Sequence, residues 1–536
     1  MAGSHSCSAI INADMDGKGK IAKAAGLMSV ATFISRILGF ARDMIFAFYF
    51  GATGISDTFF QAFKIPNLLR ELLAEGSMSA AFIPVLTEYR EKQGEFETNR
   101  LVKITFTFII IVVGLVCLAG VFLSPAIVAA IAPGFLGSPE KFSLTVLLTR
   151  IMFPFLLFVS LAALTMGALN TKKVFFVPAL APAMLNITLI ISIVFFESRT
   201  QQPIVAAAIG VLVGGLVQFA FQLPSFFRSG YSLGIDTAFR HPGLKKMFLL
   251  LVPATLALSV SQINIIVSSV LASYLPHGSI TYLFYSMRLI QFPVGIFGVA
   301  MGMAVLPLLS EHAVKGDLDR LREDFSFALR LLFFIAIPSM AGLIALKEPI
   351  VNLLFQRGQF TYAATQGTAE ALLFYSIGIW SIVGVRILTA TFYAMQDTKT
   401  PVKIAMIGVV SNIILSAALM GPLRHSGLAL ANSLASGINF FLLSLFLKKK
   451  LQRIDARKII KSFFQISLAS LAMGVTGWAV LHGELWEKSG ATPIKAMYLS
   501  GTMILCIIIY VAATTIMKND EMHYVRGVIM KKLAKR

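Results

Sequence analysis

The sequence predicts an all-α polytopic membrane protein with about fourteen transmembrane helices, arranged as two six-helix lobes in parallel pseudo-repeat plus two C-terminal helices. Three observations predict this fold class. First, 57% of the 536 residues are hydrophobic and only 13% are charged, whereas soluble domains have about 25% charged residues. Second, apolar runs of about 20 residues, each long enough to cross a bilayer as a helix, recur without the alternation that is typical of barrel strands. Third, the chain repeats itself.

Membrane-length apolar segments occupy most of the chain, and each is predicted to be one transmembrane helix. Segment 56–86 is the least apolar because Lys64, Arg70, Glu71 and Glu75 lie inside it. The approximate cores are residues 24–50, 56–86, 103–131, 144–169, 175–196, 204–227, 247–274, 280–309, 326–346, 368–395, 402–420, 426–447, 460–482 and 494–516.

Basic residues are concentrated in alternate loops. Lysines and arginines cluster at 90–100, 172–173, 240–246 and 448–453, whereas a connection such as 51–56 contains none. The positive-inside rule then predicts that both termini are cytoplasmic and that the number of crossings is even, which requires the second span. The same topology explains the net charge of +20, so no nucleic-acid partner is predicted.

The two halves of the chain resemble each other at an offset of about 225 residues. Pro84 and Glu88 match Pro307 and Glu311. Six spans separate the copies, so both copies have the same orientation, as in parallel-repeat transporters. The predicted domains are a polar N-terminal tail at 1–20, an N-lobe at 21–232, a C-lobe at 233–452, a helix pair at 453–517 and a basic cytoplasmic tail at 518–536.

Arginines lie inside the apolar spans themselves. The first span contains Arg36, Arg42 and Asp43, and an arginine at mid-bilayer costs roughly 2.5 to 3.5 kcal/mol on an insertion scale. The spacing of Arg36 and Asp43 places them on one helix face. One interpretation is a water-filled cavity that binds an anion. The other is an internal Arg–Asp pair that holds helices 1 and 2 together, with Asp57, Glu71 and Glu75 as further partners.

Arg288 and Arg386, in the second half of the chain, also lie inside apolar spans and need a counter-ion. No Asp or Glu occurs from residue 245 to 310 or from 371 to 396, so neither arginine has an acid nearby in the sequence. Either side chain could snorkel to an interface, or its counter-ion comes from elsewhere. Since the guanidinium group binds phosphate and carboxylate bidentately, surplus arginines in a cavity between the lobes predict a polyanionic substrate.

The sequence contains no pattern of an enzyme or of a metal site. A Walker A loop, a Ser-His-Asp pattern and an HExxH helix do not occur. The three cysteines and seven histidines are dispersed, so neither a metal nor a cofactor is predicted.

The segments ISRILGFARDMIFAFYFGA and SDTFFQAFKIPNLLRELLAEGSMSAAFIPVLTEY resemble the MurJ (MviN) family of lipid II flippases, as do QDTKTPVKIA at 396–405 and APGF at 132–135. The resemblance implies the fold of the multidrug/oligosaccharidyl-lipid/polysaccharide exporter superfamily. In this family the last two helices form a groove for the lipid tail, which here corresponds to 453–517.

The resemblance also implies a function. A monomeric, multi-pass protein of the bacterial plasma (inner) membrane is expected, in contact with membrane lipids. It would be a transporter and not an enzyme, and it would move lipid II, an undecaprenyl-pyrophosphate-linked disaccharide-peptide, from the inner to the outer leaflet by alternating access. Substrate binding is expected of Arg36, Arg42, Asp43, Arg70 and Arg288. Gating or charge pairing is expected of Asp57, Glu75 and Arg386.

Some positions depart from the family pattern. Many relatives have an acid before the arginine of helix 8 and another three residues after it, where this chain has Met287 and Gln291. Some members bind sodium through acids in helices 7 and 11. Here helix 7 offers only Gln262 and Asn264 for that role and residues 401–420 contain no acid, so the sequence does not predict a sodium site, and the coupling ion stays unknown.

Three alternatives remain beside the lipid II flippase. One is a drug/cation antiporter of the same superfamily, in which acids are functional and arginines are structural. Another is a flippase for a different polyprenyl-linked oligosaccharide. The last is a scaffold that recruits partners through its basic loops, which leaves the arginines inside the spans unexplained.

Overall fold

The computed structural model describes the backbone of residues 4–72 and 77–533; the side chains are described from residue 26 onward, apart from 73–80 and some positions within 254–300 and after 528. Glu75 lies outside the described residues. The helices are α1 (Ser4–Phe50), α2 (Gly54–Arg70), α3 (Ser77–Phe122), α4 (Ser124–Ile131), α5 (Pro139–Met152), α6 (Phe155–Thr171), α7 (Phe176–Phe196), α8 (Pro203–Ala220), α9 (Leu223–Arg228), α10 (Pro242–Ser273), α11 (Ser279–Pro293), α12 (Val299–Val314), α13 (Leu318–Ala345), α14 (Lys347–Phe355), α15 (Tyr362–Ser376), α16 (Ile379–Ala394), α17 (Lys399–Leu451), α18 (Ala456–Leu481), α19 (Thr492–Ile516) and α20 (Asp520–Leu533).

All regular structure in the described residues is helical, which confirms the predicted fold class. In that part of the chain, nine helices or helix pairs are long and apolar enough to span a membrane. The number is lower than the predicted count partly because α17 covers two predicted spans. Its helical conformation is interrupted at Arg424 (φ 50°, ψ −131°), between the predicted cores 402–420 and 426–447.

Local sequence explains where several helices begin. Proline is the first residue of α5 and α8, a position at which its missing N–H costs nothing. The carboxylate of Asp317 accepts a hydrogen bond from the Arg320 amide at the start of α13 (3.1 Å), and such an N-cap satisfies an amide that would otherwise lack a partner.

The chain forms two compact units, one of residues 1–49 and 58–262 and the other of 50–57 and 263–536. In unit 1, α7 packs against α8, and α6 packs against α3 and α8. In unit 2, α16 packs against α12, α13 and α17, and α11 packs against α15. The connection between α1 and α2 therefore belongs to unit 2.

The internal repeat reappears in side-chain contacts. Glu88 pairs with Lys92 at 3.1 Å and Glu311 pairs with Lys315 at 2.5 Å, in both cases one helical turn apart. The residues after α2 and α11 are also alike, because π-helical turns follow at 71–72 and at 294–298. Such turns are frequent at functional sites, and α2 and α11 carry Arg70 and Arg288.

The C-terminal helix pair, α18 and α19, packs against the rest of unit 2 at both of its ends. At one end, Leu346, Leu481, Trp486 and Leu499 form a buried apolar cluster. Beside this cluster lies Lys495, which is 2% exposed. Its ammonium group donates to Asn352 Oδ1 (2.9 Å) and to the Lys488 carbonyl, and lies 5.8 Å from the centre of the Trp486 ring.

At the other end of the pair, Glu521 of α20 is 1% exposed. It accepts hydrogen bonds from Arg330 of α13 and from the Ser462 hydroxyl of α18 (2.7 Å for the latter). A buried ion pair of this kind is tolerated because additional hydrogen bonds satisfy the carboxylate.

Candidate functional site

Arg42 and Asp43 form the most closely bonded charge pair of the predicted site. The Arg42 guanidinium donates from Nε and Nη2 to Asp43 Oδ1 at 3.0 and 2.6 Å. The Asp43 side chain is 5% exposed and that of Arg42 14%. The sequence pattern placed Asp43 on the face of Arg36, but the structure shows it bonded to its neighbour Arg42, whose long side chain reaches around the helix.

A third side chain, Asn186 of α7, completes this arrangement. Its Oδ1 accepts from Arg42 Nη1 at 3.1 Å, and its Nδ2 donates to the Ser35 carbonyl at 3.3 Å. A Cβ at Gly39 would lie 3.4 Å from Asn186 Nδ2, so the glycine leaves room for the amide. Asn186 thereby holds the Arg42 fork in one orientation, while the guanidinium remains able to contact an anion through N–H groups that these bonds do not use.

Arg36, one and a half turns before Arg42, is in a different environment. Its side chain is exposed, as are those of Phe33 and Ile37. Among the residues that the structure describes, none forms a hydrogen bond or an ion pair with the Arg36 side chain. The structure thus separates the arginines of α1 into one that is held by protein groups and one that is not.

Arg70 lies in a polar cluster at the end of α2. Its Nε donates to Asn67 Oδ1 (3.1 Å), and its Nη2 is 3.9 Å from Glu71 Oε1. Glu71 also accepts from Asn67 (3.0 Å) and from Gln262 of α10 (3.1 Å). Glu71, suggested from sequence as a partner of the arginines, therefore accepts hydrogen bonds from two side-chain amides and forms a looser ion pair with Arg70.

Asp57 is almost completely buried, with 1% of its surface exposed. Its carboxylate accepts from the Gly278 amide (2.6 Å), the Thr281 amide (3.0 Å) and the Thr281 hydroxyl (2.8 Å). These groups form the amino terminus of α11, where the helix dipole favours a negative charge. Asp57 therefore anchors the α1–α2 connection to α11, a contact that no local sequence pattern indicates.

Two glycines make this anchoring possible. Gly51 and Gly278 both have positive φ angles, 60° and 87°, a conformation that favours glycine. A Cβ at Gly278 would collide with the Ala52 carbonyl oxygen at 2.6 Å, and one at Gly51 would collide with the Gln359 carbonyl. The backbone of the α1–α2 connection is consequently in direct contact with the backbone at Gly278 and at Gln359, with no room for a side chain between them.

Arg288 and Arg386, both in unit 2, are exposed. The Arg288 guanidinium lies 5.7 Å from the centre of the Phe284 ring, within the range of a cation–π interaction. A Cβ at Gly298 would lie 3.3 Å from Arg386 Cδ, so the arginine stem packs over this glycine. No described residue forms an ion pair with Arg386.

Sequence reasoning missed Asn67 and Asn186, although each has a simple signal. Asn186 is the one strongly polar residue in α7, FVPALAPAMLNITLIISIVFF, and a buried amide in an apolar helix needs partners. Arg150 in α5 was also missed. It is exposed and donates to the Ser124 hydroxyl at 2.9 Å.

Both units contribute arginines to the candidate residues, and a guanidinium group is suited to binding phosphate or carboxylate. Unit 1 presents Arg36, Arg42 and Arg70, and unit 2 presents Arg288 and Arg386. In the part of the chain that the structure describes, no group of three His, Cys, Asp or Glu side chains could hold a metal ion.

Comparison with known proteins identifies relatives over nearly the whole length. A family profile described as "Lipid II flippase MurJ" matches residues 46–497. The chain is 36% identical over 501 residues to a probable lipid II flippase MurJ of Vibrio cholerae, covering 92% of this chain and 95% of the relative. It is 37% identical over 487 residues to the lipid II flippase MurJ of Burkholderia cenocepacia, covering 90% and 93%.

Solved structures give the same result. The fold is similar to "Lipid II flippase MurJ, inward closed conformation", with a TM-score of 0.76 and 30% identity over 92% of this chain and 99% of that one. An inward-facing multidrug resistance MATE transporter of the MOP superfamily has a TM-score of 0.65 at 13% identity, over 80% and 98%, which shows the shared fold alone. The chain is therefore a polytopic membrane transporter, not an enzyme, and it belongs to the MurJ family of lipid II flippases.

Proposed function

We propose that this protein moves lipid II from the inner to the outer leaflet of the bacterial plasma membrane by alternating access. Family membership over residues 46–497 carries the proposal. The chemistry agrees, because lipid II combines a pyrophosphate, peptide carboxylates and a polyprenyl tail, and the chain places arginines inside apolar spans. Membrane lipids surround the protein, which functions as a monomer.

The arginines are the proposed substrate-binding groups. Arg42, oriented by Asp43 and Asn186, keeps a fixed geometry that suits bidentate contact with a phosphate. Arg36 is exposed and pairs with no acid among the described residues, so its positive charge is not neutralised locally. Arg70 and Arg288 are proposed to bind the same substrate, and Arg386 and Glu75 to act in charge pairing.

The C-terminal helix pair is the proposed site for the lipid tail. An open apolar cleft of about 520 Å³ lies along α18, lined by Phe464, Leu468, Leu471 and Met517 among others. Phe464, Leu468 and Leu471 are 69%, 57% and 61% exposed. In water such a surface would be unfavourable, whereas a polyprenyl chain or lipid acyl chains would cover it.

We further propose that both termini are cytoplasmic, as the distribution of basic loops indicates. The membrane potential would then favour return of an empty, positively charged binding site toward the cytoplasm, by roughly 2.3 kcal/mol per charge per 100 mV. No cofactor and no sodium site are proposed.

The antiporter alternative has less support. An antiporter needs carboxylates that can bind and release a cation. The described acids of the site are already engaged, since Asp43 is bonded to Arg42, Glu71 to two amides and Asp57 to the amino terminus of α11.

Substitution of the two exposed arginines tests the proposal. Arg36→Ala and Arg288→Ala are expected to abolish complementation of a flippase-depleted strain and to weaken retention of lipid II in native mass spectrometry. The matched control is Arg199→Ala, an exposed arginine that stacks on Phe196 outside the site. Full complementation and unchanged lipid II retention in both variants would refute the anion-binding role. A purified wild type that retains only bulk phospholipid, with no polyprenyl pyrophosphate, would refute lipid II as substrate.

A further inference from the structure

The short helix α20 follows the last apolar helix after a turn of three residues, 517–519. Asn519 is completely buried in this turn, and its Oδ1 accepts from the Met522 amide at 3.1 Å. The side-chain nitrogen of Asn519, Nδ2, also donates to Gln465 Oε1 of α18 at 3.3 Å. Because three residues of chain span at most about 10 Å, α20 must begin next to the end of α19. Since α19 is long and apolar enough to cross a membrane, we infer that the membrane surface lies at this end.

Two contacts fix the orientation of α20 relative to α13 and α18. The Glu521 carboxylate is buried against Arg330 and Ser462. One turn further on, the Tyr524 ring packs edge-on against Phe327, with 4.9 Å between ring centres. These contacts hold one side of the first turn of α20 against the protein.

The rest of α20 is exposed and combines apolar with basic residues. Tyr524, Val528 and Met530 are 50%, 48% and 59% exposed. Arg526 and Lys531 are exposed beside them, and no described residue forms an ion pair with either. The sequence adds Lys532, Lys535 and Arg536.

Exposed apolar side chains beside basic ones are unfavourable in water but favourable at the surface of an anionic membrane. An exposed apolar side chain gains by entering the boundary between headgroups and acyl chains, and a neighbouring lysine or arginine gains about 1 kcal/mol near an anionic membrane surface. Neutral lipid would satisfy only the apolar residues. Charge complementarity therefore selects anionic headgroups.

We propose that α20 is an interfacial helix that binds anionic phospholipid headgroups through Arg526 and Lys531, with Tyr524, Val528 and Met530 inserted beside them. With the C-terminus in the cytoplasm, these lipids belong to the inner leaflet. The buried contact of Glu521 with Arg330 transmits the position of this surface contact to α13 and α18. Arg526 and Lys531 lie outside the proposed lipid II site, although Met517 of the preceding turn lines the proposed cleft for the lipid tail. The proposal for α20 does not depend on which lipid occupies that cleft.

Hydrogen exchange of the full-length protein in nanodiscs tests the proposal. The amides of 520–533 should exchange more slowly in discs with phosphatidylglycerol than in discs of phosphatidylcholine alone. Two basic residues near an anionic surface predict a difference of roughly 10- to 30-fold. The double variant Arg526→Gln/Lys531→Gln should lose this difference.

The control Arg199→Gln/Lys488→Gln removes the same charge from exposed positions outside α20 and should keep the difference. Equal exchange rates in the two lipids would overturn the proposal. Protection that is independent of lipid and is lost only in Glu521→Gln would also overturn it, because contacts with α13 and α18 alone would then hold the helix. Folding of each variant is checked by the exchange of α13 amides, which should not change.

Discussion

Asp57 accepts hydrogen bonds from both the amide and the hydroxyl of Thr281, a residue 224 positions further along the chain. Together with the Gly278 amide, these donors hold a buried carboxylate at the start of α11. A carboxylate in this position is satisfied by the protein itself. Its contribution can be measured by removing single donors or the charge.

Asp57→Asn is expected to lower the free energy of unfolding by about 1–3 kcal/mol, because an amide donor would face a backbone N–H that needs an acceptor. Thr281→Val should cost about 1 kcal/mol, whereas Thr281→Ser keeps the hydroxyl and should be close to wild type. Denaturation in detergent would measure these values. The two substitutions should not be additive in the double variant, and simple additivity would contradict the shared hydrogen bonds.

Arg42→Lys is expected to reduce transport at least tenfold although the positive charge is kept. An ammonium group cannot donate to Asp43 and Asn186 in the fork geometry of a guanidinium, and a lost charge-assisted hydrogen bond costs about 1.5–3 kcal/mol. Lipid II transport into vesicles, or complementation, measures the effect. Arg199→Lys serves as the control. If Arg42→Lys transported normally, charge alone would be sufficient at this position.

Removal of one partner of the Arg330–Glu521 pair should cost more than removal of both. Glu521→Gln leaves the Arg330 guanidinium with only the exposed Asp520 carboxylate, at 3.5 Å, as a counter-charge. The free energy of unfolding should therefore fall by about 3 kcal/mol, the lower end of the cost of removing one partner of a buried pair. The double variant Arg330→Met/Glu521→Leu should recover most of this loss. A double variant that is as unstable as the sum of the two single variants would argue against a direct pair.

Asp397 should make stability depend on pH in the acid range. It lies between α16 and α17, where Lys450 Nζ at 2.8 Å, assisted by the amide and hydroxyl of Thr400, lowers the pKa of Asp397 to about 2. The unfolded pKa is about 3.9. The stabilisation is therefore complete above about pH 4 and is lost as the pH falls through about 2.

In the variant Asp397→Asn, the loss of stability between about pH 4 and pH 2 that Asp397 causes should be absent. Thermal unfolding at a series of pH values from about 2 to 6 compares the two proteins. Asp455→Asn is the control, since the Asp455 carboxylate has its ion-pair contact with Lys458 at the longer distance of 3.6 Å. Identical pH profiles for wild type and Asp397→Asn would contradict the assignment.

The fold was predictable because its signals are local or periodic. Spans follow from apolar length, and the repeat follows from matched residues such as Glu88 and Glu311, each of which pairs with a lysine four positions later. The second span is the exception. It was predicted from the charge pattern alone, and α2 is not among the described helices that are long and apolar enough to cross a membrane. Its polar residues lie in α2 and in the π-helical turn that follows it, with Glu75 outside the described residues.

The hydrogen-bond partners of the candidate site residues were less predictable. They depend on how far a side chain extends and on contacts between residues that are distant in the sequence. Helix geometry paired Asp43 with Arg36 by direction of the Cβ atoms, but a guanidinium extends far enough from Arg42 to bond the adjacent residue. Asp57 was expected to pair with charges, and it also accepts hydrogen bonds from two amides and a hydroxyl at the start of α11. The sequence reveals neither the partner of Asp43 nor the partners of Asp57, since both sets of contacts depend on tertiary packing.

The helix pair that carries the apolar cleft is fastened to unit 2 at two places. Lys495 ties the beginning of α19 to α14 through Asn352, and Glu521, just after α19, is tied to α13 through Arg330. A helix pair held at one end could swing about that point, but one held at both ends cannot. Whatever lipid chain lies along Phe464 and Leu468 must then travel with α13 and α14 as these helices move.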